Sequence, residues 1–308
     1  MTNNFISNIK KITLSPILNK CRNTKDEKVY NGVFYKVEKD GKYFYVGGSI
    51  HVGISNNIRF NNVVEKAFED STKVAVELDM TKVKNHINMY KSLLNITPDQ
   101  VNLKNKDLQP ELLPLENNTN FQAFCKNIGL NPQKYAKLSP EKFYNIANQK
   151  IMKKTGYKSN YGIDNYFINR AKKSKKEIIS LETPDGQITA LIASSNMSPE
   201  ALGSATIRSL EGLEASIELF SKMHDSIFEG DILTLVNELL IYQPVSESDR
   251  KNLNALIYER NEKMANKIES LLISEETYFV IVGAAHVIGK GGLLKLFKDK
   301  GYKTSRLQ

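Results

Sequence analysis

Two histidines occupy matched positions in this sequence and could serve one site. His51 ends the motif Gly48-Ser49-Ile50-His51 after an apolar run at 43–47, and His286 ends Gly283-Ala284-Ala285-His286 after an apolar run at 278–282. In each copy a β-rich run is followed by a glycine, which permits a sharp turn or a close backbone approach. Because open α/β sheets bind ligands beyond the carboxyl ends of their strands, we expect both imidazoles to face one crevice.

Two glutamates follow other β-rich runs and could join the histidines. Glu77 lies near the end of the run 74–79, and Glu182 ends the run 177–182. Neutral imidazoles combined with carboxylates suit Mn²⁺, Co²⁺ or Zn²⁺ and leave a coordination position for water. In a metal-free site, His51 or His286 would be the general base, oriented by Glu77 or Glu182. The residue types leave both mechanisms open.

An arginine and an asparagine interrupt the apolar face of a helix predicted over about 248–273. The apolar positions recur at helical spacing, and they are Leu253, Ile257, Met264, Ile268 and Leu271. Arg260 and Asn261 fill the missing step, so we expect both to be buried. An arginine is costly to bury unless it is paired. We interpret Arg260 as an oxyanion donor, with Asn261 orienting it or a ligand. The alternative is a structural pair with a glutamate, or a stem that lies along the core edge.

The elements that must position these residues follow an α/β pattern. Asp40-Gly41 predicts a hairpin between two early strands, and Asn61 or Asn62 predicts the start of the next helix. Residues 83–162 instead have helical apolar spacing, with turns marked by prolines, and we interpret them as a helical insert. We therefore predict an α/β fold, a mixed β-sheet core with flanking helices, in a single domain over 29–308 preceded by an arm at 1–28.

Composition and charge narrow the function classes. The net charge of the 308 residues is +9, but the lysines are spread along the chain without a nucleic-acid-binding motif, so we expect no nucleic-acid partner. Cys21 and Cys125 are too few for a disulfide framework or a thiolate metal site. The sequence contains no signal-peptide pattern, and its longest apolar run, 278–289, is too short for a transmembrane helix. We expect a cytoplasmic protein, and nothing indicates its oligomeric state.

These motifs together resemble the TraB/GumN family. The resemblance is carried by both Gly-x-x-His motifs, by Val76-Glu77-Leu78-Asp79, by Leu181-Glu182-Thr183 with Gln187, by Glu259-Arg260-Asn261 with 264–268, and by the ending 283–307. It covers about residues 42–307, and the middle helical region is similar only in type. The family includes pheromone-shutdown proteins of conjugative plasmids and is related to the Tiki proteases and erythromycin esterases.

The resemblance implies a hydrolytic site formed by both histidines and the glutamates. Tiki-like relatives are divalent-metal-dependent peptidases, whereas esterase relatives use histidine and glutamates without metal. We therefore predict a metal-dependent hydrolase of peptidase or amidase type, acting on a peptide or small molecule, with Mn²⁺ or Co²⁺ preferred to Zn²⁺. The alternatives are a metal-free esterase-like hydrolase and a protein that binds a peptide or pheromone without turnover.

Each candidate residue has one or two predicted roles in that site. The predicted metal ligands are His51, His286 and Glu77. The predicted catalytic residues are Glu77, Glu182, Arg260 and Asn261. The predicted substrate-binding residues are Gly48, Ser49, Gln187 and Gly283.

Overall fold

A six-stranded mixed sheet forms the centre of the region that carries the predicted site. The computed structural model describes residues 28–55, 58–94, 119–136, 146–147, 149–151, 155–195, 213–239 and 247–308. The strands are β1 (Lys28–Tyr30), β2 (Val33–Lys39), β3 (Lys42–Ser49), β4 (Ile58–Phe60), β5 (Lys73–Val76), β6 (Glu177–Ser180), β7 (Tyr278–Gly283) and β8 (Lys303–Arg306). The strand order of the sheet is β6-β5-β7-β3-β2-β8, while β1 and β4 form a separate parallel pair.

Helices alternate with the strands along the chain. They are α1 (Asn62–Asp70), α2 (Val83–Leu94), α3 (Thr119–Ile128), α4 (Pro132–Tyr135), α5 (Ile163–Lys173), α6 (Pro184–Ser195), α7 (Leu213–Glu229), α8 (Ile232–Thr234), α9 (Glu247–Leu253), α10 (Glu259–Leu271), α11 (Ala284–Val287) and α12 (Leu293–Asp299). A 3₁₀ turn spans Ser159–Tyr161, and π-helical segments span Leu235–Leu239 and Asn254–Tyr258. The predicted α/β class, a mixed sheet with flanking helices, is confirmed.

Four of the six strands run parallel, so their carboxyl ends lie at one edge of the sheet. β5 pairs in parallel with β6 and β7, and β7 pairs in parallel with β3. The register aligns Ser49 with Gly283 and Val76 with Ser180. Just beyond these strand ends, the chain carries His51, Glu77, Glu182 and His286.

The hairpin predicted at Asp40-Gly41 is confirmed. β2 and β3 are antiparallel with Lys39 opposite Lys42, so only two residues make the turn. Asp40 has φ 52° and Gly41 has φ 77°, as a two-residue turn that matches strand twist requires. The hairpin delivers β3 beside β7 and thereby brings the two Gly-x-x-His motifs to neighbouring strands.

A cluster of buried phenylalanines joins the sheet to α1 and α5. The Phe279 ring on β7 lies 4.8 Å from Phe167 on α5 and 5.4 Å from Phe68 on α1, measured between centroids. Phe34 on β2 packs against the same ring at 6.0 Å. A Cβ on Gly47 would lie 2.2 Å from the Phe34 ring, so this glycine is needed for the rings to approach the sheet. The cluster fixes α5, whose first turn reaches the predicted site.

The long helix predicted over about 248–273 is interrupted. α9 ends at Leu253, a π-helical segment covers Asn254–Tyr258, and α10 begins at Glu259. A π-helical segment inserts an extra residue into the turn and shifts the face that the helix presents. Arg260 and Asn261 follow this segment directly, and both are buried, as predicted.

The chain divides into two compact units. One comprises Met1–Thr24, Leu103–Lys158 and Met197–Ser221, and the other comprises Lys25–Asn102, Ser159–Asn196 and Lys222–Gln308. In the described part of the first unit, residues of α3 form an apolar cluster that includes the buried free thiol of Cys125. The six-stranded sheet and every predicted site residue lie in the second unit.

Several sequence predictions fall wholly or partly outside the described residues. They concern the arm at 1–28, of which only Lys28 is described, and much of the insert at 83–162. Within the described part of the chain, no helix is long and apolar enough to cross a membrane.

The phenylalanine cluster predicts a large stability loss for Phe279→Ala. Phe279 is fully buried, so its truncation removes apolar contact and leaves a cavity, and we expect a loss of about 3–5 kcal/mol in the free energy of unfolding. Denaturant unfolding followed by circular dichroism measures this value. Tyr90→Ala is the matched control, because Tyr90 is an aromatic residue exposed on α2, and it should change stability by less than about 0.5 kcal/mol. Equal effects of the two substitutions would contradict the assignment of this cluster as the core.

Candidate active site

Arg260 joins the two strand-end glutamates into one buried ion cluster. Its Nε and Nη2 donate to Glu182 Oε1 and Oε2 at 2.8 and 2.7 Å, and Nη2 also donates to Glu77 Oε2 at 2.7 Å. At most a tenth of each of these three side chains is exposed. Two-point pairing of a guanidinium with a carboxylate is both strong and directional. Glu77, Glu182 and Arg260, which the sequence predicts to share a site, are therefore in direct contact.

Among the described residues, the hydrogen bonds of Arg260 leave one of its donors without an acceptor. A guanidinium carries five N–H groups. Three donate to the glutamates, and an N–H of Nη1 donates to Leu256 O at 3.1 Å, in the π-helical segment. The remaining donor is the second N–H of Nη1. Arg260 therefore holds the glutamates in place and has one N–H for a further acceptor.

Both oxygens of Glu77 accept hydrogen bonds. Oε1 accepts from the Gly283 amide at 2.6 Å, and Oε2 accepts from Arg260. Burial opposes ionisation of Glu77, but His286, the Gly283 amide and Arg260 together hold the pKa of this carboxyl below its usual value. Glu77 is therefore an ionised carboxylate at the carboxyl end of β5.

Asn261 determines the tautomer of His286. The Asn261 amide nitrogen donates to Gly291 O at 2.6 Å, which turns its carbonyl oxygen toward His286 Nδ1, also at 2.6 Å. A carbonyl oxygen only accepts, so His286 Nδ1 carries the proton and Nε2 has a lone pair. Asn261 thus orients His286, a residue with which the sequence did not pair it.

His286 is a neutral imidazole beside a carboxylate. It is 5% exposed, and its Nε2 lies 4.0 Å from Glu77 Oε1. Burial lowers the pKa of His286 to about 4, with contributions from Arg260 and His51, although Glu77 acts in the opposite direction. At neutral pH the Nε2 lone pair is therefore available to accept a proton or to bind a metal.

His51 is exposed and is held by a carboxylate instead. Two-thirds of its side chain is exposed, and Nδ1 lies 2.9 Å from Asp164 Oδ2. The hydrogen bond to Asp164 and the charge of that carboxylate raise the pKa of His51. Asp164 is not among the site residues that the sequence predicted. Its partner lies 113 positions away in the chain, so no local pattern could have identified the pair.

A cavity of about 140 Å³ opens at this edge of the sheet. Its polar lining residues are Ser49, His51, Glu77, Asp164 and Gln187, and its walls are aliphatic side chains that include Ile168 and Val282. One water needs roughly 10–15 Å³ on the same kind of scale, so several waters or a small substrate group fit. The Ser49 hydroxyl is buried and has no hydrogen-bond partner among the described residues. It is therefore available to a ligand in the cavity.

The predicted substrate-binding residues lie in two different environments. Ser49 and Gln187 line the cavity. Gly48 packs against α11, where a Cβ would lie 3.0 Å from the Ala284 Cα, and Gly283 uses its amide to hold Glu77. The two glycines therefore support neighbouring groups through their backbones.

The donor types in this region suit a divalent cation, but the positions of the described residues do not form a metal site. Each histidine donates its Nδ1 proton to a side-chain oxygen, which is the usual arrangement for a metal-binding imidazole and leaves Nε2 free. Nitrogen from two imidazoles and oxygen from one carboxylate suit Mn²⁺, Co²⁺ or Zn²⁺. Across the described ranges, however, no three His, Cys, Asp or Glu side chains are grouped closely enough to hold a metal ion.

Comparisons with known proteins identify relatives of this chain. The profile of the TraB/PrgY/gumN family matches residues 33–306. The chain is 21% identical to "Uncharacterized protein YbaP" of Escherichia coli (strain K12), over 83% of this chain and 88% of that protein. It is 33% identical to "Metalloprotease TIKI homolog" of Amphimedon queenslandica, but over only 26% of this chain and 14% of that protein. No solved structure gives a significant match.

The ion cluster predicts that Arg260→Met strongly destabilises the protein. Methionine fills similar space but leaves two buried carboxylates uncompensated, so we expect a loss of about 3–5 kcal/mol in the free energy of unfolding. Denaturant unfolding at pH 7.5 measures this loss, and Glu182→Gln in the Arg260→Met background should recover part of it. Lys295→Met is the control, because it breaks an exposed pair with Asp299 and should cost less than about 1 kcal/mol. An Arg260→Met protein as stable as the control would show that the cluster is not needed for folding.

The depressed pKa of His286 predicts that stability falls as the solution is acidified. Between the folded-state pKa of about 4 and the usual value of 6.5, the unfolded chain binds the His286 proton more readily than the folded protein does. Stability should therefore decrease from pH 6.5 to pH 5, by at most about 1.4 kcal/mol per pH unit from this group. The raised pKa of His51 changes stability only above pH 6.5, and the lowered pKa of Glu77 changes stability only below about pH 4.5. Neither group therefore accounts for a change in stability between pH 5 and pH 6.5.

Unfolding free energies between pH 5 and pH 6.5 test this dependence. His286→Gln should reduce the slope relative to the wild type. His86→Gln, which removes an exposed histidine, should keep the wild-type slope. Parallel curves for wild type and His286→Gln would refute the assignment.

Proposed function

This chain belongs to the TraB/PrgY/gumN family, and on that premise we propose that it is a hydrolase with its active site at the carboxyl edge of the parallel strands. One observation carries the proposal. A neutral imidazole with a free Nε2 lies beside the ionised Glu77, which lines a cavity large enough for water. Such a pair can accept a proton from water and stabilise the imidazolium that results. The proposed substrate is a peptide or a small molecule with an amide or ester bond.

The proposed cofactor is a divalent cation, Mn²⁺ or Co²⁺, with His51, His286 and Glu77 as its ligands. Bound there, it would supply a water of lowered pKa and a Lewis acid for the scissile carbonyl. The donor chemistry supports this choice, and so does the likeness over 81 residues to a protein named as a metalloprotease. Asn261 and Asp164 would hold the two imidazoles with their Nε2 lone pairs free.

The remaining residues would bind the substrate and stabilise charge. Ser49 and Gln187 line the cavity and would bind the substrate there. Glu182 fixes the guanidinium of Arg260, whose one unused N–H would donate to the oxyanion that develops on the carbonyl. Donors fixed in advance need little reorganisation during the reaction. In this proposal Glu182 positions Arg260, and Arg260 acts in catalysis.

A metal-free hydrolase is the second candidate, favoured by the charge already present in the cluster. Arg260 neutralises part of the carboxylate charge that would otherwise attract a cation. In this form His286 Nε2 takes the proton from water and returns it to the leaving group, while Glu77, 4.0 Å away, stabilises the imidazolium. His51 would then bind the substrate or the oxyanion.

Cleavage of a peptide library tests the proposal and separates the two candidates. Protein purified without chelator is incubated with the library alone, with Mn²⁺ or Co²⁺, and with EDTA, and products are identified by mass spectrometry. We expect activity that EDTA removes and Mn²⁺ or Co²⁺ restores. His51→Ala should lower kcat about a hundredfold or more with little change in stability, because its side chain is mostly exposed. His86→Ala, the control at another exposed histidine, should keep its activity.

Three other outcomes would change the conclusion. Activity that survives EDTA but is lost in His286→Gln supports the metal-free hydrolase. Saturable peptide binding without cleavage, measured by calorimetry, supports a binding protein. Cleavage that persists in both histidine variants would place the active site elsewhere in the chain.

A further inference from the structure

We infer that Asp164 is the positioning residue of His51, holding the imidazole as the Nδ1–H tautomer with Nε2 free for the reaction. This inference rests on the proposed function, since it assigns a second supporting residue to the same site. The two histidines are then held by side chains of different types. His286 is held by the neutral amide of Asn261, and His51 is held by a carboxylate.

The hydrogen bond itself defines the tautomer. His51 Nδ1 lies 2.9 Å from Asp164 Oδ2, and an ionised carboxylate only accepts. The proton therefore lies on Nδ1. Because two-thirds of the His51 side chain is exposed, little packing restrains the ring, and its orientation depends on this bond. An exposed imidazole without such a partner would sample several rotamers.

Asp164 itself stands on a rigid support. It lies in the first turn of α5, whose Ile163 and Phe167 are fully buried. Arg170, further along α5, pairs with Glu65 of α1, and Tyr166 donates to the same carboxylate at 3.0 Å. A carboxylate on a packed helix can restrain a side chain on a loop. A carboxylate on a loop would restrain neither group.

Close backbone contacts bring the His51 loop to α5. Ile163 N donates to Ile50 O at 3.2 Å. A Cβ on Gly162 would lie 2.7 Å from the His51 carbonyl carbon and 2.6 Å from Asp164 Oδ1. A Cβ on Gly53 would lie 2.2 Å from Tyr161 O. Only glycine fits at both positions, so the sequence permits the contact that places Asp164 beside His51.

The second carboxylate oxygen of Asp164 indicates a role for this residue other than stabilising the fold. Oδ1 is buried and has no hydrogen-bond partner within the described part of the chain. A buried carboxylate oxygen left in this way is unfavourable for folding and calls for another explanation. Asp164 also lines the cavity, together with His51 and Glu77.

Nuclear magnetic resonance tests the tautomer directly, without any substrate. Two-bond ¹H–¹⁵N correlation spectra are recorded at pH 9, where the imidazoles are neutral, and the His51 signals are assigned by their absence in His51→Gln. Wild type should show the Nδ1–H pattern for His51. Asp164→Ala should move it to a mixture that includes Nε2–H. Asp164→Asn keeps the shape of the side chain, but its amide can present either atom, so the pure Nδ1–H pattern should also be lost.

Asp225→Ala is the matched control. Asp225 makes a similar contact with a different histidine, His224 Nδ1, at 3.0 Å, and it does not belong to the proposed site. This variant should leave the His51 signals unchanged. Calorimetric titration with Mn²⁺ adds a second measurement, in which Asp164→Ala should weaken binding about 10- to 100-fold. The kcat for a cleaved peptide should fall by a similar factor, while KM changes less.

The outcomes distinguish this inference from the proposed function. An unchanged Nδ1–H pattern in Asp164→Ala overturns the positioning role, whatever the enzyme does. A changed tautomer with wild-type kcat and wild-type Mn²⁺ affinity also overturns it, because the tautomer would then not matter to the site. A changed tautomer in a protein that hydrolyses nothing upholds the role of Asp164 at His51 and rejects the hydrolase instead.

Discussion

Arg260 holds two strand-end carboxylates together where little water reaches them. Glu77 and Glu182 follow adjacent parallel strands, and Glu182 N donates to Glu77 O at 2.9 Å, so the pairing continues past the strands and sets the two side chains next to each other. Two such charges repel strongly at low dielectric unless a cation lies between them. The guanidinium lies near the start of α10, which begins at Glu259 directly after the π-helical segment. The next residue, Asn261, then reaches His286.

The two histidines occupy equivalent strand ends but differ in chemistry. His286 is buried and neutral, with Nε2 near Glu77, whereas His51 is exposed and paired with Asp164. The difference follows from what lies beyond each strand. β7 continues directly into the short buried helix α11, while β3 continues into a loop that contacts α5 through a backbone hydrogen bond and the Asp164 carboxylate. One repeated motif thus produces one buried imidazole and one exposed imidazole.

The sequence predicted the parts of this site that depend on periodicity and failed where distant contacts decide. Alternating and apolar runs located the strands. The gap in the apolar face of a predicted helix located Arg260 and Asn261, because the spacing of apolar residues along a helix indicates which positions are buried. The π-helical segment before Arg260 has no such pattern and was missed. β5 also ends at Val76, earlier than the predicted run, and Asp79 then accepts from Thr81 in a turn. Asp164 was missed as a site residue, since its significance lies in a partner 113 residues away.

The charge of the cluster links its structure to its chemistry. Glu77 and Glu182 carry two negative charges and Arg260 one positive charge, and His286 is neutral, so one net negative charge remains in a largely buried place. A buried charge needs compensation. A divalent cation at the strand ends would provide it, and so would a protonated His51, whose pKa is raised. His51 and Glu77 both line the cavity. The same excess charge that attracts a cation also favours His286 as a proton acceptor, because it stabilises the imidazolium.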